Sequence, residues 1–310
     1  MRKSILLTVA TMAIFVGAVN AQQDADFNTG LQQFNAKQFE AAAETFKKIT
    51  LKEPTNDAAF FNYGLSLFNL RKYKDALEPF SKAAQISTKV AKYHEYVGRA
   101  KLLIDDFAKA ATAFWDEVLI EPNNFNANYF LGYSLYKANQ FPDAEKYTRE
   151  AIRIDPNHAT AKINLGMILN GQKRYKDAVA PLTEAIKLNP NLSDAHFNLG
   201  NAYYNQKLYA ESIPYYERSS VLSPKSALVF AYLGDAYLNT KQNERAVETY
   251  KKSIALDAKE VVAQMGLGLA YMNLKNYAGV RTQIAVLQVL DAEKAKDLQQ
   301  RAEKAGMPAQ

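Results

Sequence analysis

Glycine recurs at a fixed interval of 34 residues along most of this 310-residue chain. A glycine in a helix interior costs about 1 kcal/mol relative to alanine. The stretch HFNLGNAYY, residues 196–204, otherwise has the apolar spacing of an amphipathic helix. Eight glycines in phase predict a packing requirement that is repeated in every unit, and an extended repeat array. The glycines are Gly30, Gly64, Gly98, Gly132, Gly166, Gly200, Gly234 and Gly268.

Other positions follow the same period when each repeat is numbered so that this glycine is position 8. Position 20 is alanine in six of the eight repeats, position 17 is mostly aromatic, position 24 is mostly large, and position 32 is proline in five repeats. Residues 193–226 have Tyr209, Tyr216 and Pro224 at positions 17, 24 and 32, and the small residue Ser212 at position 20. The predicted repeats span residues 23–56, 57–90, 91–124, 125–158, 159–192, 193–226, 227–260 and 261–294, within a repeat region that begins at residue 22.

This pattern resembles the tetratricopeptide repeat, a helix–turn–helix unit of 34 residues. The resemblance implies an all-α fold, a right-handed superhelical solenoid of helix–turn–helix repeats. Positions 4, 7, 8 and 11 of the first helix lie on one face at 3.6 residues per turn. We therefore expect the glycine at position 8 to admit the second helix closely, with the small residue at position 20 opposite it and position 24 filling the adjoining gap.

The C-terminal stretch DAEKAKDLQQRAEKAGMPAQ predicts a capping helix. Its apolar stripe is thin, consisting of Ala295, Leu298 and Ala302, and the rest is polar and charged. An open end of a repeat array needs such a polar cover. We assign residues 295–310 to the end of this helix and the tail.

Residues 1–21 have the three-part pattern of a secretory signal peptide. Arg2 and Lys3 precede an apolar stretch, which ends in the small residues Val19 and Ala21. The stretch is short for the roughly 20 residues that span a bilayer. The sequence predicts cleavage after Ala21 and an exported, periplasmic protein, with secretion or an uncleaved membrane anchor as alternatives.

Composition argues against several classes of function. The chain has no cysteine, which rules out disulfides and thiolate metal sites. The formal net charge of +6 is a mild excess that does not favour nucleic acid. His94 and His196 occupy position 4, a packing position, and His158 lies in a turn between repeats. The sequence predicts no metal site, no cofactor and no catalytic activity.

The resemblance implies that the first helices line a concave groove. Positions 2, 5, 6, 9, 12 and 13 turn away from the packing face, and their apolar and aromatic residues suit a protein or peptide partner. The alternative for any one of these aromatics is packing against the adjacent repeat. The predicted groove residues are Phe61, Asn62, Lys92, Arg99, Tyr129, Tyr133, Asn164, Phe197, Asn198, Asn201 and Tyr204.

The resemblance favours a non-catalytic scaffold or adaptor that holds a protein or peptide during the assembly of an envelope complex. One alternative is a structural oligomer that assembles from copies of the chain. An enzyme or a carbohydrate-binding protein is less favoured, because no constellation of catalytic residues is evident.

Overall fold

The computed structural model describes residues 25–308, and these form seventeen α-helices. The predicted signal peptide, residues 1–21, lies outside the described residues. The helices are α1 (Ala25–Asn35), α2 (Phe39–Lys52), α3 (Asp57–Asn69), α4 (Tyr73–Ile86), α5 (Ala91–Leu103), α6 (Phe107–Ile120), α7 (Phe125–Lys137), α8 (Phe141–Ile154), α9 (Ala159–Gly171), α10 (Tyr175–Leu188), α11 (Ser193–Asn205), α12 (Tyr209–Leu222), α13 (Ala227–Asn239), α14 (Asn243–Leu256), α15 (Val261–Asn273), α16 (Tyr277–Leu290) and α17 (Ala292–Lys304).

The described residues divide into two compact units, one that ends at Pro156 and one that begins at Asn157. In the first, helices α1 to α8 pack in chain order, each against the next. In the second, α9 to α17 pack in the same way, and some first helices of consecutive repeats, such as α9 and α11, also contact each other. The predicted all-α repeat fold is confirmed, whereas the right-handed superhelical twist stays a prediction.

The turn between the two helices of a repeat contains a left-handed residue. Position 15 has a φ between 58° and 64° in all eight repeats, although none of these residues is glycine. In repeat six, the Lys207 N–H donates to the Tyr204 carbonyl at 2.8 Å and the Leu208 N–H to the Tyr203 carbonyl at 3.1 Å. This hydrogen-bond pattern closes the end of a helix and reverses the chain. The sequence did not predict this conformation, because lysine is the commonest residue at position 15.

The periodic glycines allow close packing of the two helices, as predicted, but position 24 is the residue that meets them. A Cβ atom on Gly200 would lie 2.7 Å from Cε1 of Tyr216, whose side chain is fully buried. The first seven repeats share this arrangement, with phenylalanine, tyrosine, leucine or threonine at position 24. Position 20 also lies near the glycine in repeat four, where the carbonyl oxygen of Ala144 would be 3.2 Å from a Cβ atom on Gly132.

The last repeat is completed by the capping helix. Gly268 faces Leu298 of α17, and the side chains of Ala295, Leu298 and Ala302 are all buried. Leu298 thus takes the place that position 24 has in the earlier repeats. The predicted apolar stripe is confirmed as the packing face of α17. Within the described part of the chain, no helix is both long and apolar enough to cross a bilayer.

Candidate functional site

Two of the predicted groove aromatics belong to the core. Phe61 has no exposed surface, and its ring centroid lies 4.8 Å from that of Tyr93 and 5.3 Å from that of Tyr96. Tyr129 is also buried and lies 5.6 Å from the ring of Phe125. Neighbouring side chains enclose both residues and remove them from the accessible surface. A paired replacement of them by alanine would test core packing and not partner capture.

The three predicted groove asparagines at position 6, Asn62, Asn164 and Asn198, differ in their burial and in their hydrogen bonds. Asn62 is buried, and its Nδ2 donates to the Ala58 carbonyl at 2.8 Å. Asn198 is partly exposed, but its Nδ2 donates to the Asp194 carbonyl at 2.8 Å. Asn164 is buried, and its amide has no hydrogen-bond partner within residues 25–308. Asn62 and Asn164 therefore cannot contact a partner on this surface.

Lys92 and Arg99 form an ion cluster with Glu95 on α5. Glu95 accepts from Lys92 Nζ at 2.8 Å and from an Arg99 guanidinium nitrogen at 2.6 Å. The Arg99 guanidinium also lies 5.6 Å from the ring centroid of Tyr96. The positive charges predicted to face a partner are thus engaged inside their own repeat. Tyr133 is half-buried on the neighbouring first helix, α7.

Glu117 of α6 extends this cluster into the core, and the sequence analysis missed it. Its side chain is buried, and Oε2 has no hydrogen-bond partner within the described residues. Burial, with a smaller contribution from the charge of Glu95, raises the pKa of Glu117 to about 8, and the Arg99 charge opposes this change. Position 27 is small or apolar in the other seven repeats, so a glutamate there was the sequence signal that could have identified this site.

The remaining predicted residues come together around one tyrosine of the second unit. The ring of Tyr232 on α13 lies 5.4 Å from that of Phe197, 6.5 Å from that of Tyr204 and 6.1 Å from that of Tyr216, measured between centroids. Tyr216 is fully buried, whereas Phe197, Tyr204 and Tyr232 keep part of their surface exposed. We call the partly exposed set the Tyr232 face, and it consists of Phe197, Asn201, Tyr204, Tyr232 and Asp235.

Hydrogen bonds hold the polar groups of the Tyr232 face in place. The Tyr216 hydroxyl donates to Asn201 Oδ1 at 2.7 Å. The Tyr250 hydroxyl donates to Asp235 Oδ1 at 2.5 Å, and Asn239 Nδ2 donates to the Tyr204 hydroxyl oxygen at 3.1 Å. Polar groups that are fixed by buried partners lose little entropy when a ligand binds.

The environment of this face changes the ionisation of its groups. Burial, with a smaller contribution from the charge of Glu260, raises the pKa of Asp235 to about 6. The hydrogen bond from Tyr250 opposes this change. Burial, with a smaller effect of the Asp235 charge, raises the pKa of Tyr204 to about 12. At pH 7 the face therefore combines neutral tyrosines with one largely ionised carboxylate.

Tyr232 and Asp235 occupy positions 6 and 9, which were predicted to face the groove, but neither residue was among the predicted groove residues. Tyr232 interrupts the row of asparagines at position 6, and Asp235 is the acidic member of position 9. Their departure from the apolar and asparagine pattern was the available signal. Phe197, Asn198, Asn201 and Tyr204 were predicted directly, and their role in binding stays a prediction.

The histidines have structural contacts. His94 Nε2 lies 3.0 Å from the Thr88 carbonyl oxygen, and His196 Nε2 lies 3.0 Å from that of Pro190. Both contacts join position 4 to position 32 of the preceding repeat. His158 Nδ1 accepts the Ala161 N–H at 3.2 Å at the start of α9. Within residues 25–308, no group of three or more histidine, aspartate or glutamate side chains is placed to hold a metal ion.

Comparison with known proteins gives matches along most of the chain. Models described as the tetratricopeptide repeat match residues 27–91, 125–158, 193–226 and 232–260, and a TPR repeat model matches residues 166–207. The matches at 125–158 and 193–226 have the same bounds as the predicted fourth and sixth repeats. Among curated protein sequences, none matches this chain.

Solved structures share the fold at low sequence identity. PilF of Pseudomonas aeruginosa is 20% identical with a TM-score of 0.60, and the alignment covers 68% of this chain and 97% of that one. A tetratricopeptide repeat protein from Parabacteroides merdae is 18% identical, with a TM-score of 0.60 and coverage of 79% and 97%. The APC/C hetero-tetramer Cut9–Hcn1 is 18% identical, with a TM-score of 0.63 and coverage of 92% and 57%.

Proposed function

The chain belongs to the tetratricopeptide repeat family, and from that premise we propose that it is a non-catalytic scaffold that binds a peptide or protein partner on the Tyr232 face. Arrays of such repeats use their first-helix surfaces for protein–protein interaction. Fold alone does not name a partner, so the proposal rests on the site.

The observation that carries the proposal is the partial exposure of the Tyr232 face. Position 5 is buried at Phe61 and Tyr129 but keeps accessible surface at Phe197. Tyr204 and Tyr232 are likewise accessible beside polar atoms of Asn201 and Asp235. Exposed aromatic rings next to fixed hydrogen-bonding groups are typical of protein interfaces, because the rings supply contact area at a low entropic cost.

The non-catalytic character of the proposal is supported by the placement of the histidines. His94 and His196 contact backbone carbonyl oxygens of the preceding repeat, and His158 caps a helix. A general base must lie within hydrogen-bond reach of the proton that it removes, and the unpartnered Nδ1 of His196 is buried. Turnover of any substrate by the purified chain would contradict this part of the proposal.

Export to the periplasm and a role in the assembly of an envelope complex complete the proposal. The pattern of residues 1–21 supports export. The test is expression of the full chain followed by cell fractionation and mass measurement of the product. We expect a periplasmic protein whose N-terminus is Gln22, and a cytoplasmic product that keeps Met1 would overturn the assignment.

Site-specific crosslinking in intact cells tests the binding site. A photoreactive phenylalanine at Tyr204 is expected to capture a partner, whereas the same group at Lys252, an exposed position on α14, is not. The captured protein is then purified, and its affinity for the Tyr204→Ala variant is measured beside that of the wild type. Equal capture at both positions, or an unchanged affinity, would remove the Tyr232 face from the proposal.

Self-assembly is the competing function, and the polar helix α17 on the last repeat argues against stacking at that end. Light scattering over a range of concentrations distinguishes the two. A constant molar mass agrees with a scaffold, whereas a mass that rises with concentration agrees with a structural oligomer.

A further inference from the structure

We propose that the partner places an arginine or lysine side chain against the Asp235 carboxylate and the ring of Tyr232. The inference rests on the proposed function and names the chemistry of the partner at the same face. The supporting observation is a difference between two clusters of aromatic side chains, one around Tyr96 and one around Tyr232, whose members occupy the same repeat positions.

The first cluster surrounds Tyr96, which is position 6 of repeat three. Its ring centroid lies 5.3 Å from that of Phe61, 5.6 Å from that of Phe68 and 5.3 Å from that of Phe80. These residues occupy positions 5, 12 and 24 of repeat two. Three rings of one repeat therefore enclose one ring of the next.

This first cluster supplies its own cations. Lys92 Nζ lies 5.2 Å from the Tyr96 ring centroid, and the Arg99 guanidinium carbon lies 5.6 Å from it. Both cations also bind the carboxylate of Glu95, which is buried. A cation over an aromatic face and beside a carboxylate satisfies both groups.

The second cluster repeats the ring arrangement four repeats further along the chain. Tyr232 is position 6 of repeat seven, and Phe197, Tyr204 and Tyr216 are positions 5, 12 and 24 of repeat six. The centroid distances of 5.4, 6.5 and 6.1 Å reproduce the geometry around Tyr96.

The charges differ between the two clusters. Where repeat three has lysine, glutamate and arginine at positions 2, 5 and 9, repeat seven has Leu228, Ala231 and Asp235. The second cluster therefore has a carboxylate and lacks both cations. Within the described residues, no lysine, arginine or histidine is paired with Asp235, and none lies over the Tyr232 ring.

The titratable groups that interact electrostatically with Asp235 lie on α11 to α14 and at the start of α15, and none of them is positive. They are the hydroxyls of Tyr204, Tyr216, Tyr232 and Tyr250 and the carboxylate of Glu260. Tyr250 donates its hydrogen bond to Oδ1. A partly buried carboxylate among aromatic rings gains most from a cation, because the surrounding medium screens the attraction less than water does.

The partner is therefore a segment with a basic side chain flanked by apolar residues. Leu228, which is 45% exposed, lies about two helical turns before Asp235 on α13, and the partly exposed Phe197 packs against Tyr232, so both offer apolar surface on the same side of the repeats. The aliphatic part of an arginine or lysine can lie on such surface while its charged group reaches the carboxylate.

The test uses two acetylated, amidated seven-residue peptides and the full chain. Both have leucine on each side of a central residue and serine elsewhere; the central residue is arginine in one and citrulline, its uncharged analogue, in the other. At pH 7.5 we expect the arginine peptide to bind about ten-fold more tightly. In Asp235→Asn this preference is expected to disappear, whereas Glu211→Gln, which removes an exposed carboxylate on the adjacent helix α12, should retain it.

Two further measurements sharpen the test. Leu228→Lys places an ammonium group one helical turn before Tyr232, as Lys92 stands before Tyr96, and should abolish the preference by supplying an internal cation. Lowering the pH from 7.5 to 5 should also reduce the preference, because protonation of Asp235 removes the charge that attracts the partner.

The outcomes separate this inference from the proposed function. If the two peptides bind equally, if neither binds, or if Asp235→Asn keeps the preference, the basic partner is excluded, while crosslinking at Tyr204 still decides whether the face binds a protein. If crosslinking fails and the arginine preference is absent as well, both proposals fail.

Discussion

At the scale of single residues, the two buried carboxylates of repeat three, Glu95 on α5 and Glu117 on α6, differ in how far their neighbours compensate their charge. Glu95 is buried between Lys92 and Arg99 and is fully compensated. Glu117 is equally buried, but one of its oxygens has no partner within the described residues. An uncompensated buried carboxylate favours the protonated form, and this makes folding stability depend on pH.

Glu117→Gln is expected to remove a loss of folding stability that the wild type suffers as the pH rises. The raised pKa of about 8 means that the folded state keeps a proton that the unfolded state loses above its ordinary pKa of 4.5. The wild type therefore loses stability between these two values, by at most about 1.4 kcal/mol per pH unit. Urea midpoints at pH 5 and pH 8 should differ less for the variant than for the wild type.

Glu44→Gln, at an exposed position of α2, is the matched control and should leave the pH dependence of the midpoint unchanged. An equal pH dependence for the wild type and Glu117→Gln would show that Glu117 keeps its ordinary ionisation in the folded protein.

Gly200→Ala is expected to destabilise the second unit. The new Cβ would lie 2.7 Å from Tyr216 Cε1, and the ring is fully buried with its hydroxyl bound to Asn201. Overpacking costs about 1–3 kcal/mol and exceeds the helix-propensity gain of about 1 kcal/mol. Gly171→Ala, at the exposed end of α9, should be neutral or stabilising. A higher urea midpoint for Gly200→Ala would contradict the packing role of the glycine.

At the scale of helices, the repeated turn uses an unfavourable backbone conformation in all eight repeats. Position 15 has positive φ at lysine, arginine, aspartate and asparagine residues. The left-handed region costs an ordinary residue about 1 kcal/mol. The carbonyl groups at the end of the first helix gain hydrogen bonds from the turn, and these offset the cost.

Lys207→Gly should therefore raise stability by up to about 1 kcal/mol, since glycine adopts the left-handed conformation without strain. Lys207 has a φ of 64° and an exposed side chain, so no packing is lost. Lys207→Val is the opposing control and should destabilise, because a β-branched side chain is strained there. Thermal unfolding of the two variants checks the order, and a more stable valine variant would refute it.

At the scale of the whole chain, stability is local, because the substantial helix contacts join helices one or two places apart. Arrays of this kind behave as a sum of repeat stabilities and nearest-neighbour interfaces. The capping helix closes the last interface with Leu298, which packs with Val280 and Leu287.

Leu298→Ala should lower amide-exchange protection in α15, α16 and α17, with a local cost of about 2–5 kcal/mol. Helices α9 to α11 should keep their protection, because none of them contacts the cap. The exposed Gln299→Ala is the control on the same helix. A loss of protection that spreads evenly over α9 to α17 would show that this unit unfolds as one cooperative body.

Much of the fold could be read from the spacing of single residues. The glycine period placed the repeats, and the stripe of Ala295, Leu298 and Ala302 placed the cap, because each depends on the local periodicity of one or two helices. The left-handed residue at position 15 could not be read in the same way, since its conformation follows from the packing of the two helices and not from its own type.

The binding face was decided by tertiary structure. Phe61 and Phe197 are the same residue at the same repeat position, yet one is buried and the other is partly exposed. Phe61 is covered by Tyr93 of the next repeat, whereas the equivalent position in the repeat after Phe197 is the smaller Val229. The burial of a side chain at position 5 depends on side chains from other helices that are distant in sequence. The set of charged groups around Asp235 depends on them in the same way. The pattern of one helix therefore identifies the residues on a face, and only the packed neighbours determine which of them a partner can reach.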